Sequence, residues 1–293
     1  MAAIEPSLRQ QAEQLAATLP PLLVAAERVA AVVAQGVHGR RRVGSGETFW
    51  QFRRYQPGDE TSRIDWRQSA KSLRVFVREN EWEAAQSIWL WCDESASMRY
   101  RSRLAESEKL ARARLMLLAL AVLLVRGGEL VALLGRDSRP AGARAALNRL
   151  STALSRPRPP GSSLPPAETL PRYARLVLIG DFLSPLDDIH ARVRKFAGDG
   201  VKGHLLQVLD PAEEMLPFGG RTRFEGLEGE GVLLVGRAES FRPAYLERLA
   251  AQHEGLAALA RDAGWTFAVH RTDRPPQTAL LALYMTLAAR PGR

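Results

Sequence analysis

Apolar positions along the chain repeat with two periods, and these change over at definite places. After a break at Pro20 and Pro21, Leu22, Leu23, Ala26, Val29, Ala30 and Val33 recur at helical spacing and predict an amphipathic helix. Residues 48–55 and 73–80 alternate apolar and polar, as strands with one wet face do. The run Ser87-Ile88-Trp89-Leu90-Trp91-Cys92 does not alternate, which suits a central strand buried on both faces. Beyond it, helical patterns at 103–127, 141–154, 185–197, 240–263 and 277–289 are interleaved with apolar runs at 130–134, 175–179, 204–209 and 265–270.

Strands alternating with helices predict an α/β fold, doubly wound around a mainly parallel sheet. The segments 88–91, 130–134, 176–179 and 205–208 are expected as its inner strands. Two regions interrupt the alternation. A Gly- and Arg-rich stretch precedes residue 85, and a short β excursion at 211–236 turns on Gly229-Glu230-Gly231. The expected division is an N-terminal helix and β add-on over 1–84, packed at the sheet edge, and a main domain over 85–290.

Composition narrows the setting. Of 293 residues, 46% are hydrophobic and 25% charged, ordinary for a globular protein that buries a core without staples. Cys92 is the single cysteine, so no internal disulfide can form, in keeping with a reducing, cytoplasmic setting. The longest uncharged apolar run, 115–125, is 11 residues. A membrane span needs about 20. The net charge of +9 rests on arginines spread along the chain, with one run at Arg40, Arg41 and Arg42, and only Lys71, Lys109, Lys195 and Lys202 are lysines. With no recognition motif beside it, such charge does not predict dedicated nucleic-acid binding.

In open α/β sheets, ligands bind beyond the carboxyl ends of the strands. After the run ending at Cys92 come Asp93, Glu94, Ser95, Ala96 and Ser97; after 175–179 comes Asp181; between them lie Gly161, Ser162, Ser163 and Leu164. Carboxylates and hydroxyls without thiol or imidazole suit a hard cation, Mg²⁺ first, Mn²⁺ or Ca²⁺ as alternatives. Asp93, Ser95 and Ser97 could equally satisfy free amides at a helix N-terminus, and Asp181 could be a loop or capping carboxylate. His38, His190, His204, His253 and His270 lack ligand spacing, and no phosphate loop occurs.

Asp-x-Ser-x-Ser after an apolar strand resembles the metal-ion-dependent adhesion site of von Willebrand factor A domains. That resemblance implies that Ser95 and Ser97 bind the ion directly, with Asp93 acting through water. Ser162, or Ser163 beside it, takes the place of a threonine from a distant loop, and Asp181 that of a late aspartate. A second pattern comprises Tyr55, Gly58, Asp59, Arg63, Ile64, Asp65, Trp66, Ala70 and Lys71. It is similar to the signature of the bacterial "domain of unknown function 58" family. Membership implies association with a MoxR-type AAA+ ATPase and a role as adaptor or co-chaperone for a client protein. Within the signature, Asp59, Arg63, Asp65 and Trp66 read as a buried charged pair with a packed indole, or else as a partner surface. A metal-dependent hydrolase would instead use Asp93 and Asp181 around a catalytic ion, with Glu94 or Asp187 as base.

Overall fold

The computed structural model describes residues 21–38, 49–55, 64–71, 74–80, 86–156 and 159–288. The chain divides into two compact units, one of residues 40–85 and one of 1–39 with 86–293.

The larger unit is built on five parallel strands, β3 (Ser87–Cys92), β4 (Leu130–Leu133), β5 (Arg175–Gly180), β6 (Lys202–Leu209) and β9 (Thr266–Arg271). Their order across the sheet is β4-β3-β5-β6-β9. Six helices of this unit bear on the argument: α1 (Pro21–His38), α3 (Lys109–Arg126), α4 (Ala143–Ser155), α5 (Leu186–Gly198), α7 (Ala238–Asp262) and α8 (Pro276–Ala288). The doubly wound α/β class expected from the pattern is what forms. One expectation changes. Among the described residues the strand at 130–134 is an edge strand, hydrogen-bonded to β3 and otherwise meeting only an isolated antiparallel bridge from Val131 to Ala141. Its apolar side chains are buried by helices on the two faces, and burial of side chains does not report whether both backbone edges are paired.

Side chains alternate between two cores. Ile88, Leu90 and Cys92 of β3 and Val177 and Ile179 of β5 join α1, α3, α4 and α8 on one face. Trp89, Trp91, Leu176 and Leu178 join Ile189, Val193 and Phe196 of α5 and Leu256 and Leu259 of α7 on the other. The apolar run 115–125 is the middle of α3, enclosed by the sheet and three helices. Among the described residues no helix is long and apolar enough to cross a membrane. Leu23, Ala26, Ala30 and Val33 of α1 lie in this same core, so α1 belongs to the α/β unit and not to an add-on over 1–84.

The smaller unit pairs β1 (Phe49–Arg54) antiparallel with β2 (Phe76–Asn80), and carries one helical turn, α2 (Trp66–Ser69). Asp65 caps that turn: its Oδ1 accepts from the Gln68 amide at 2.9 Å. The Ser69 hydroxyl donates to the Asp65 carbonyl at 2.7 Å and accepts from the Phe76 amide at 2.9 Å, tying the turn to β2. Tyr55 is half-buried and its amide donates to the Val75 carbonyl. Trp66 is 67% exposed, so the expected packed indole is not found. A residue opening a single helical turn points outward when the turn's only buried side chain is Ser69. Gly58, Asp59 and Arg63 lie outside the described residues.

Two expected outcomes follow. A Cβ on Gly203 of β6 would come within 2.2 Å of the Trp265 ring, which is pinned by its Nε1 donating to the Val201 carbonyl at 3.0 Å. Gly203→Ala should cost at least about 1–3 kcal/mol in denaturant unfolding, while Gly198→Ala, with nothing within 4 Å, should be silent. Asp65→Ala should cost at least about 0.5–2 kcal/mol as a lost cap, and Trp66→Ala less. A loss of about 3–5 kcal/mol at Asp65 would mark the expected buried charged pair, whose candidate Arg63 lies outside the described residues.

Candidate metal centre

The strand order reverses between β3 and β5: the chain leaves β3 toward β4, then crosses back to β5 on the other side. A crevice opens at the carboxyl ends of such a pair because the two connections run to opposite sides. Asp93 follows β3 and Asp181 follows β5, and the Asp93 amide extends the ladder to the Ile179 carbonyl at 2.8 Å. Gly180 makes the approach possible. A Cβ there would stand 2.8 Å from the Asp93 Cβ and 3.1 Å from its Oδ2.

From these two anchors the site closes through short polar contacts. Asp93 Oδ1 accepts from the Ser95 amide at 2.8 Å, and the Ser95 and Ser97 hydroxyls are 3.1 Å apart. Ser97 Oγ donates to Asp181 Oδ2 at 2.6 Å. The four residues expected from the pattern are therefore brought together. They do not cap a helix: the 3₁₀ turn at Ser97–Arg99 has Ala96 at its start, and α3 begins only at Lys109.

Ser162 is elsewhere. It is exposed and its hydroxyl accepts from the Leu164 amide at 3.1 Å, while Ser163 receives a hydrogen bond from Ser184 Oγ at 2.9 Å. The loop does touch the site segment, through the Gly161 amide donating to the Glu94 carbonyl at 3.0 Å. Neither serine is hydrogen-bonded to the Asp93–Asp181 cluster. Glu94 turns away into ion pairs with Arg114, at 2.6 Å, and with Arg136.

Sequence patterning missed the strongest electrostatic element. Lys109, the first residue of α3, is fully buried, and its Nζ donates to Asp181 Oδ2 at 3.0 Å and to Glu213 Oε1 at 2.5 Å. Burial alone would push its amine down; the Asp181 and Glu213 carboxylates outweigh that and hold it raised, as an ammonium. Glu213 comes from the short helix α6 (Pro211–Met215), where its other oxygen accepts from the Asp210 amide at 2.8 Å in a capping box. Asp210 in turn accepts from the amides of Ala212 and Ser102, both at 2.8 Å. Gln207 Nε2 donates to the Asp181 carbonyl at 2.7 Å. One signal for Lys109 was present: a lysine at a helix start in a chain that otherwise uses arginine. A compact ammonium donates to two carboxylates from a single point charge.

Asp93 is 0% exposed, and its Oδ2 has no hydrogen-bond partner. Its carboxyl is pushed up to about 7, first by burial and then by Asp181; Ser95 opposes this, and Glu228 adds a smaller push. A buried carboxylate oxygen without a partner is costly unless something positive meets it. With Asp93 ionised, Asp93, Asp181 and Glu213 against Lys109 leave two negative charges, which a divalent ion would balance. The donors are carboxylates and hydroxyls, as a hard cation requires. Among the described residues no three His, Cys, Asp or Glu side chains form a group that could hold a metal ion. In donor chemistry the residues fit such an ion, and Asp93, Ser95, Ser97 and Asp181 are the ones that would hold it.

The profile of a family described as "Protein of unknown function DUF58" matches residues 51–255. The uncharacterized protein Rv1480 of Mycobacterium tuberculosis is 26% identical over 288 residues, covering 89% of this chain and 86% of that one. The uncharacterized protein Mb1516 of Mycobacterium bovis matches with the same figures. Among solved structures, the conserved hypothetical protein BatB from Bacteroides thetaiotaomicron aligns at a TM-score of 0.41 and 15% identity, over 70% of this chain and 99% of that one. An aerotolerance-related membrane protein from Bacteroides fragilis aligns at 0.38 and 14%, over 69% and 100%.

Between its unfolded value near 3.8 and its folded value of about 7, Asp93 holds more proton in the native state than in the unfolded chain. Metal-free stability should therefore fall as pH rises through that window, on the order of a few kcal/mol. Asp93→Asn keeps an acceptor for the Ser95 amide and should flatten that fall when urea unfolding in chelator is compared with wild type across the window. Parallel curves for the two proteins would show Asp93 to be an ordinary carboxylate.

Proposed function

The chain belongs to the DUF58 family, and we propose that it is a metal-dependent protein-binding module of von Willebrand factor A-like type, an adaptor or co-chaperone to a MoxR-type AAA+ ATPase. The observation that carries this is Asp93 Oδ2, buried and unpartnered among two hydroxyls and a second carboxylate. An ion held there by four protein groups keeps positions for water or an outside oxygen, and an acidic side chain of a client is the ligand such a position takes. Mg²⁺ is the proposed ion, since it binds through one or two carboxylates and retains waters, with Mn²⁺ and Ca²⁺ as substitutes. The same reading puts the module in the cytoplasm, beside an ATP-driven partner.

Residues for turnover are less well placed. A metal-dependent hydrolase built on Asp93 and Asp181 would need a base nearby. Glu94 is spanned by two guanidinium groups, and Asp187 is exposed in the first turn of α5. Lys109, held as an ammonium, has no lone pair to offer a carbonyl carbon. Binding needs no such base.

Mg²⁺ or Mn²⁺ should raise the melting temperature by mass action, because the unfolded chain has no assembled site. Ser95→Ala with Ser97→Ala should remove that increment and leave the metal-free protein folded. Calorimetric titration decides the point: equal heats for wild type and double variant would sink the metal site. For the partner, capture of the cognate AAA+ ATPase from native cells should be lost in chelator and in the double variant. Capture unaffected by both would separate partner binding from this site.

A further inference from the structure

Residues 211–236 hold a strand pair that the candidate metal centre does not use. β7 (Thr222–Glu225) and β8 (Val232–Val235) pair antiparallel with each other, and with no other strand among the described residues. The ribbon is tied at its base: the Ala238 amide donates to the Gly220 carbonyl, and the Gly220 amide to Glu239 at 2.7 Å. The Phe218 and Phe224 rings meet edge to face at 5.6 Å. A lone two-stranded ribbon is at best marginally stable in water, and further strands with an apolar face are what secure it.

The backbone pattern fixes which groups the ribbon leaves open. In an antiparallel pair, residues that exchange backbone bonds alternate with residues whose N–H and C=O point away. The Gly226 amide donates to the Gly231 carbonyl at 2.8 Å, and the register runs on without a bulge from Glu225↔Val232 to Thr222↔Val235. The bonded pairs are therefore 224 with 233 and 222 with 235. Val232 and Leu234 turn their amides and carbonyls to the outer edge of β8, as Arg223 and Glu225 do on β7. The two edges differ in kind. Exposed Arg223 and Glu225 blunt the β7 edge, a usual defence against strand addition. On β8, Val232, Leu233 and Leu234 are 53–55% exposed, and no charge or proline lies between Gly231 and Gly236. Such an edge takes a strand as its ligand.

The residues of that edge select the strand. Gly231-Val232-Leu233-Leu234-Val235-Gly236 reads the same in both directions. We propose that β8 pairs antiparallel with β8 of a second copy of this chain, about a two-fold axis at Leu233, in a four-stranded sheet ordered β7-β8-β8-β7. In that register the outward backbone groups of Val232 meet those of Leu234 in the other copy, and the axis repeats the exchange. Leu233 faces its own counterpart, so Phe224, Leu233, Leu233 and Phe224 form one apolar row across a single face. Charge agrees with this orientation. The tip of the ribbon carries Glu228 and Glu230 and its base Arg221 and Arg237, all exposed. Antiparallel pairing sets the tip of each copy beside the base of the other, whereas parallel pairing would set acid beside acid.

With three exposed apolar residues a copy, the contact is well below a standard interface, so the dimer forms reversibly with concentration. Sedimentation velocity of the full chain over a concentration series should show a monomer–dimer equilibrium. Leu233→Lys sets two ammonium groups face to face across the axis and should weaken the dimer at least about tenfold. Val32→Lys, at an equally exposed residue of α1, should not. Both variants should keep the wild-type circular dichroism, since each side chain is half exposed in the monomer. Oxidation of cysteine variants reads the register. Leu233→Cys should form a disulfide-linked dimer, because directly opposed residues have Cβ atoms about 4.5–5.5 Å apart. Val232→Cys, opposed to Leu234, should stay largely reduced, and the native Cys92 is buried. A wild type that stays monomeric at every concentration overturns the proposal, as does a dimer that Leu233→Lys leaves intact. Equal crosslinking at 232 and 233 would show copies meeting in another register and overturns it as well.

Discussion

The Lys109 ammonium, with no exposure to water, is the interaction on which the site's organisation depends. It joins three elements distant in sequence: the start of α3, the turn after β5 through Asp181, and α6 through Glu213. Desolvating an ammonium is expensive, and what offsets the cost is two carboxylates at hydrogen-bonding distance, each further tied to backbone or hydroxyl. Asp181 is thereby fixed in orientation, and with it the Ser97 hydroxyl that donates to it. Glu213 is fixed by its capping box. Removing the ammonium would leave Asp181 and Glu213 facing each other across a dry space.

Two neighbouring acids show how much the immediate surroundings decide. Asp93 and Glu94 are adjacent at the end of one strand, where successive side chains point to opposite sides. Glu94 falls on the side of Arg114 and Arg136 and is neutralised by them. Asp93 falls on the side of Asp181, against the bare backbone of Gly180, and is left with one oxygen unmet. Only the first belongs to a structural ion-pair network; the second has the unsatisfied valence from which a binding function can be argued.

Much of this was legible in the chain. The strand ends that carry Asp93 and Asp181 were marked by apolar runs, because a parallel strand buried on both faces leaves little room for polar residues. The rule that ligands collect at the carboxyl ends then selected Asp93, Ser95, Ser97 and Asp181. What could not be read was long-range pairing. The edge position of β4 depends on which strands neighbour it, and an apolar run looks alike in the middle and at the rim. Lys109 and Glu213 are 104 residues apart, and neither sits in a pattern. Trp66 was misjudged for the opposite reason: an aromatic residue in a motif suggests packing, yet a single helical turn has no second turn to cover it.

The place of α1 has a consequence for the order in which the molecule can be made. This helix, at residues 21–38, packs against α3 and against α8, which ends at Ala288. Its apolar stripe is therefore completed by a segment synthesised some 250 residues later. At translation rates of about 5–20 residues per second, that stripe is without its last partner for roughly 12–50 seconds on the ribosome. During that interval an early helix carrying Leu23, Ala26, Ala30 and Val33 is open to chaperones and to premature collapse. The first described helix of the fold is thus one of the last to be sealed.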